Sequence, residues 1–201
     1  LGQQDVPVQL YREFLVDIAE EIDREDKTIN DLLALVKMDK TAAKLNISVV
    51  HMNNLAEIIL KRLRPIARKN DIEVNLVSAR EVLAEVDEVK MSLILTNLVE
   101  NAIKYNKEHG EVTVTLDADH QFFTVEVADT GIGIPEDAML QIYERFYRVD
   151  KSHSREIGGT GLGLAITKSA IRLHRGTIRA ESKLGEGTRF LVKMPLIHGS
   201  T

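Results

Sequence analysis

The sequence predicts an α+β protein, a long helix followed by a two-layer α/β sandwich with one helix layer covering a mixed, mainly antiparallel sheet. Three observations carry this. A 4-3 apolar spacing occupies the first forty residues, β-branched alternations interleave with amphipathic stretches from Asn46 onward, and turn-formers separate two late pairs of alternating runs.

The spacing runs through Tyr11, Leu15, Ile18, Ile22, Glu25, Ile29, Leu32 and Val36, with charged residues between, which is a heptad seam. Pro7 stands where a helix can begin, because a first turn has no use for its missing N–H. One helix over 7–41 follows, whose stripe calls for a bundle or a second copy; docking on its own domain is the plainer alternative. Residues 1–45 and 46–201 are thus expected to form separate units.

In the second unit, 46–50 reads as a strand. Met52, Leu55, Ile59, Leu63 and Ile66 share one face of a helix ending near Asn70, and 72–77 alternates as a strand. Residues 89–105 read as a helix. Strands at 112–117 and 122–128 form a hairpin across a short polar turn, and strands at 177–181 and 188–194 flank KLGEG. The segment VDKSHSREIGG, 149–159, is too polar for a core and reads as a loop or lid.

Composition bounds the function. The 201 residues are 44% hydrophobic, enough for a core, and contain no cysteine, which removes disulfides, thiolate chemistry and cysteine zinc sites and favours a reducing, cytoplasmic setting. A net charge of −5 argues against general nucleic-acid binding. No apolar run reaches the roughly 20 residues that span a bilayer, so this stretch is not expected to insert in a membrane. The start at Leu1 rather than Met predicts a piece of a longer protein.

Two glycine-rich segments stand out, DTGIGIP at 129–135 and GGTGLGLAI at 158–166. Glycine lets backbone N–H groups approach an anion, and the second segment opens a helix whose amino terminus favours phosphate. Either alone is as compatible with plain connection. A P-loop needs Lys and Ser or Thr after its last glycine, but Leu164 and Ala165 follow Gly163; a dinucleotide fingerprint fails because Leu164 stands three residues after Gly161 and Ile166 three after Gly163. HRD and DFG are absent as well. A third segment, NLVENAIKYN at 97–106, places Asn97, Asn101 and Lys104 on one helix face, which by itself is also compatible with a solvated surface.

In order and spacing, 97–105, 129–135, ERFYRVD at 144–150 and 159–164 resemble the N, G1, F and G2 boxes of sensor histidine kinases, and the amino-terminal helix resembles the second helix of that family's dimerisation and phosphotransfer hairpin. The resemblance covers essentially the whole chain. It implies the fold shared with gyrase, heat-shock chaperone and mismatch-repair ATPases, ATP and Mg²⁺ as cofactors, a homodimer in the intact protein, and a response regulator as partner.

By this resemblance Asn101 is the Mg²⁺ ligand, with Asn97 one turn before it. Lys104 and Arg148 contact phosphate, and Tyr105 and Tyr147 flank the nucleotide. Asp129 accepts from the adenine amino group, while Gly131 and Gly133 let the chain pass close to the base. Ile134, Ile142 and Phe146 wall the pocket or anchor the lid, though each also suits an ordinary core. Gly159, Thr160, Gly161, Leu162, Gly163 and Leu164 form the second glycine box. Hydrolytic relatives place Glu where this chain has Asn97, and an amide is no general base, so water attack is disfavoured. Glu100 lies about 100° around the helix and suits that role less.

The resemblance also has gaps. The family phosphorylates a histidine followed by an acidic residue, Leu, Arg or Lys, Thr or Asn, and Pro; His51, His109, His120, His153, His174 and His198 all lack that context. The acceptor is therefore expected upstream of Leu1, and transfer from this stretch needs an acceptor in trans. His51 and His174 read as surface or capping residues. Arg175 stands where the family usually has glycine before Gly176. A hydrolytic ATPase is disfavoured by Asn97. A nucleotide-dependent switch without catalysis should show damaged boxes, and a serine kinase of the anti-sigma type would not need the heptad helix.

Overall fold

The computed structural model describes residues 8–39, 44–149 and 159–199. Pro7 and all but the two ends of the expected 149–159 loop lie outside these residues, as does Gly158. Helix α1 (Val8–Asp39) leads into β1 (Ile47–His51), α2 (Met52–Lys69), β2 (Glu73–Ser78), β3 (Leu83–Asp87), α3 (Glu88–Lys104), β4 (Glu111–Ala118) and β5 (Phe122–Asp129). A 3-10 turn (Glu136–Ala138) precedes α4 (Gly163–Leu173), β6 (Thr177–Lys183) and β7 (Gly187–Pro195).

Five strands form one sheet in the order β2-β4-β5-β7-β6, with β2 parallel to β4 and every other pair antiparallel. The mixed sheet is as expected. A second sheet of two strands was not: β1 leaves the main sheet to pair antiparallel with β3, an element missed because the apolar but exposed Leu83 blurs the alternation of buried Val82, Ala84 and Val86. The Glu85 N–H then donates to the Leu196 carbonyl and ties down the chain's last turn.

Strand alternation makes the core. Val112, Val114 and Leu116 of β4, Phe123, Val125 and Val127 of β5, and Val192 and Met194 of β7 are fully buried on one face, and pairs such as Val114 with Val127 and Val125 with Val192 set the register. The other face presents Thr113, Thr115, Thr124 and Glu126, half-buried. Helices α2, α3 and α4 form the covering layer, with α3 in the middle. Leu98 and Val99 of α3 are fully buried and Ala102 and Ile103 nearly so, leaving its polar face for the site below.

Helix ends have identifiable stops. The Asp87 carboxylate accepts the Lys90 N–H and an ammonium hydrogen bond from Lys90 at 2.7 Å, an N-cap worth about 1 kcal/mol. At the far end of α4 the Gly176 N–H returns to the Ile171 carbonyl and the Arg175 N–H to Arg172, the Schellman pattern. Its left-handed position is filled by Arg175 at φ 58°, where glycine would be less strained.

His174 is an end-capping residue but not a surface one; only 1% of it is exposed. Its Nε2 accepts the Asp87 N–H at 3.0 Å and its Nδ1 donates to the Ala170 carbonyl at 2.8 Å, so the ring joins the end of α4 to the start of α3 in its neutral form. Burial holds its pKa below the usual 6.5, against the opposing pull of Ala170 and Asp87. The unfolded chain binds a proton that the folded ring refuses. This stability is therefore complete above about pH 6.5 and is lost as pH falls through the folded value. Urea unfolding at pH 7.5 and 5.5 is expected to show a larger loss on acidification for the parent protein than for His174→Gln.

Candidate functional site

One end of the main sheet, the polar face of α3 and the turn before α4 enclose a cavity of about 410 Å³. Asn97, Asn101, Lys104 and Tyr105 line it from α3 and its cap. The Asn97 amide donates to the Gly163 carbonyl at 3.2 Å and to the Thr167 hydroxyl at 3.4 Å, so it fastens α3 to the first turn of α4. Asn101 makes no side-chain hydrogen bond among the described residues and stands beside Glu100, which also lines the cavity.

On the sheet side of the cavity, Asp129 closes β5. Its Oδ1 accepts the Gly131 N–H at 2.8 Å and the Thr188 N–H at 3.1 Å, while Oδ2 has no partner among the described residues. Burial pushes the carboxyl above its usual range, with those two N–H groups acting in the other direction. Gly133, Ile134 and Pro135 form the adjoining wall. Gly133 has φ 71°, and a Cβ there would meet the Lys183 carbonyl oxygen at 2.1 Å, so glycine is required twice over.

The remaining wall comes from Ile142, Tyr147, Arg148, Gly159, Thr160, Gly161, Gly163 and Leu164. Arg148 donates to the Gly159 carbonyl at 2.8 Å, and the Phe146 N–H donates to the Gly161 carbonyl at 3.0 Å, which pins the segment after the 3-10 turn to the second glycine box. The Thr160 hydroxyl also accepts the Leu162 N–H at 3.2 Å.

Three of the sequence candidates stand outside the lining. Gly131 contributes its N–H to Asp129 instead. Phe146 is 58% exposed. Leu162 is fully buried against Leu35, Ala165 and Ile166 in a small second core between α1 and α4.

Two lining residues that no motif pointed to come from α1. Lys27 and Asp31 face the cavity, and with Leu35 they recur every fourth residue on the side roughly opposite the heptad seam. Asp31 accepts the Thr160 hydroxyl at 2.8 Å, and Lys27 lies 3.5 Å from Glu100. Ile132, Leu184, Thr188 and Phe190 also line the cavity without having been singled out; for Thr188 and Phe190 the contribution depends on sheet register, Thr188 pairing directly with Asp129.

The cavity is polarised. Burial first, then the neighbouring Arg148 and Lys27, bring the Lys104 ammonium down to about 8 despite Glu100. Burial likewise raises the Tyr105 phenol. One end thus offers an unengaged carboxyl oxygen between apolar walls, and the other offers crowded cations. A ligand with a flat, donor-bearing ring and a polyanionic tail complements both ends.

Comparison with known proteins agrees with this chemistry. Residues 86–198 match the family described as histidine kinase-, DNA gyrase B-, and HSP90-like ATPase. The sensor protein kinase WalK of Staphylococcus epidermidis is 36% identical over 93% of the chain, and the sensor histidine kinase WalK of Bacillus subtilis 34% identical over 90%. The chain spans only about a third of either relative, 31% and 30% respectively. Among solved structures, full-length ShkA in complex with AMPPNP superposes with a TM-score of 0.82 at 27% identity, covering 94% of this chain and 40% of that one. The nucleotide-free catalytic domain of histidine kinase ThkA gives 0.68 at 26%, covering 77% of this chain and 98% of that one. The chain belongs to the histidine kinase-, DNA gyrase B- and HSP90-like ATPase family, and its catalytic domain is of the sensor histidine kinase type.

Proposed function

We infer that the cavity binds Mg-ATP and that the intact protein transfers the γ-phosphoryl group to a histidine for relay to a response regulator. Residues 46–201 are the ATP-binding domain, and 1–45 belong to the dimerisation and phosphotransfer hairpin of a homodimer. None of the six histidines stands in an acceptor motif, so the acceptor is supplied from outside this sequence. The observation that carries the reading is that Asp129, with Oδ2 unpartnered among the described residues, lines the same cavity as Lys104 and Arg148.

The fit to adenine follows from hydrogen-bond sense. The free Asp129 oxygen accepts the adenine amino group, whereas guanine presents a carbonyl there, leaving acceptor against acceptor at a cost of about 1–3 kcal/mol. Asn101 fits a divalent cation, since its amide side chain is uncommitted within the cavity and Mg²⁺ takes few protein oxygens beside phosphate and water. When bound, that cation neutralises charge between the phosphates. Lys104 and Arg148 neutralise the remainder from the protein side. The Asn97 amide, engaged as a donor to Gly163 and Thr167, supplies no base for water, which favours transfer to a histidine over hydrolysis. Among the described residues no helix is long and apolar enough to cross a membrane.

Calorimetric titration is expected to show Mg-ATP preferred over Mg-GTP by roughly tenfold to a hundredfold, with the preference lost in Asp129→Asn. Equal affinity for both nucleotides in the parent protein would contradict the assignment. A second expectation concerns Lys104. Phosphate next to this ammonium raises its pKa from about 8, so binding takes up a proton near and above pH 8. Affinity is therefore full below that value and falls above it by at most about tenfold per pH unit. Titrations at pH 8.5 in buffers of differing ionisation enthalpy detect the uptake, which Lys104→Arg is expected to abolish.

A further inference from the structure

We propose that α1 completes the nucleotide site, with Lys27 as a binding residue for the terminal phosphate and Asp31, through Thr160, as a positioning residue for the turn that opens α4. The inference rests on the reading of the cavity as an ATP site. If Asp129 fixes the base end, the phosphates extend toward Asn101, Lys104 and Arg148. Lys27 lines the same cavity from α1, beside Glu100, and so offers its ammonium to the outermost charge of a triphosphate.

The salt bridge holding Lys27 is weak. Its nitrogen is 3.5 Å from Glu100, and the two side chains are 59% and 36% exposed, so solvent screens the pair and it contributes little. A phosphate oxygen is a stronger partner. Asp31 acts differently. Its carboxylate would repel phosphate directly, but it accepts the Thr160 hydroxyl, which in turn accepts the Leu162 N–H, and so it sets the loop between Gly159 and Gly163. Leu35 anchors the same helix face by packing on Leu162, Ala165 and Ile166.

A ligand touching both α1 and α3 stabilises their contact, and by linkage the docked α1 strengthens ligand binding by the same factor. Loading with ATP then tightens α1 against the catalytic domain more than loading with ADP, because only ATP reaches Lys27. The device reports the γ-phosphoryl group to the helix that carries the heptad seam.

The test is calorimetry with Mg-ATP and Mg-ADP on the whole chain, Lys27→Ala and Lys27→Arg, together with amide hydrogen exchange over residues 27–35. Lys27→Ala is expected to weaken Mg-ATP about three- to tenfold and Mg-ADP less than about twofold, with Lys27→Arg restoring most of the loss. Exchange in 27–35 is expected to slow on adding Mg-ATP to the parent protein and not to Lys27→Ala. If Lys27→Ala binds both nucleotides as the parent does, the proposal fails and the ATP reading stands. If the parent binds neither nucleotide, both fall together.

Discussion

Helix α3 has to satisfy two environments at once, and the rest of the structure depends on how it does so. Its apolar face, with Leu98, Val99, Ala102 and Ile103, is buried on the sheet, which fixes the helix axis to within what close packing tolerates. Its other face carries Asn97, Asn101 and Lys104, and because the two faces share one backbone, burying the first positions the second. Asn97 then extends the order outward by holding the first turn of α4, and His174 holds the other end of α4 to the start of α3. The glycine box, which runs into the first of these ties, has little freedom to drift from the cavity.

The cavity keeps its polar groups in a state that favours a ligand. Lys104 is half-buried beside Arg148 and Lys27, and Asp129 retains an oxygen with no partner among the described residues. Both arrangements cost stability in the free protein, since a buried polar group without a full complement of partners loses hydration that nothing restores. A ligand that supplies donors to Asp129 and anionic oxygens to Lys104 removes both costs together. This is preorganisation: side-chain order is settled on folding rather than on binding.

Much of the fold was legible because its signals are local. Alternation in 112–117 and 122–128 gave the hairpin, which the structure extends by about a residue at most ends, and the 3.6-residue period of Met52, Leu55, Ile59 and Leu63 gave α2. β3 was invisible because exposed Leu83 interrupts the alternation of buried Val82, Ala84 and Val86. The buried state of His174 was missed because it depends on Asp87, 87 residues earlier in the chain. The site divides in the same way. Asn101, Lys104, Asp129 and Gly133 sit in compact motifs, whereas Lys27 and Asp31 enter only through the docking of α1, and Phe146 acts through its backbone, which composition cannot reveal.

The two faces of α1 differ in burial. The seam residues Ile18, Ile22, Ile29 and Val36 stand exposed, while Leu35 is buried against Leu162, Ala165 and Ile166. The central claim is that the polarised cavity serves phosphoryl transfer to histidine. Incubating this chain with γ-labelled ATP, Mg²⁺ and a separately prepared dimerisation hairpin carrying the acceptor motif tests it most directly. The account predicts acid-labile label on the hairpin histidine, lost in Asn101→Ala and in a hairpin lacking that histidine. Release of labelled phosphate with none on the hairpin, while ATP is consumed, would contradict it.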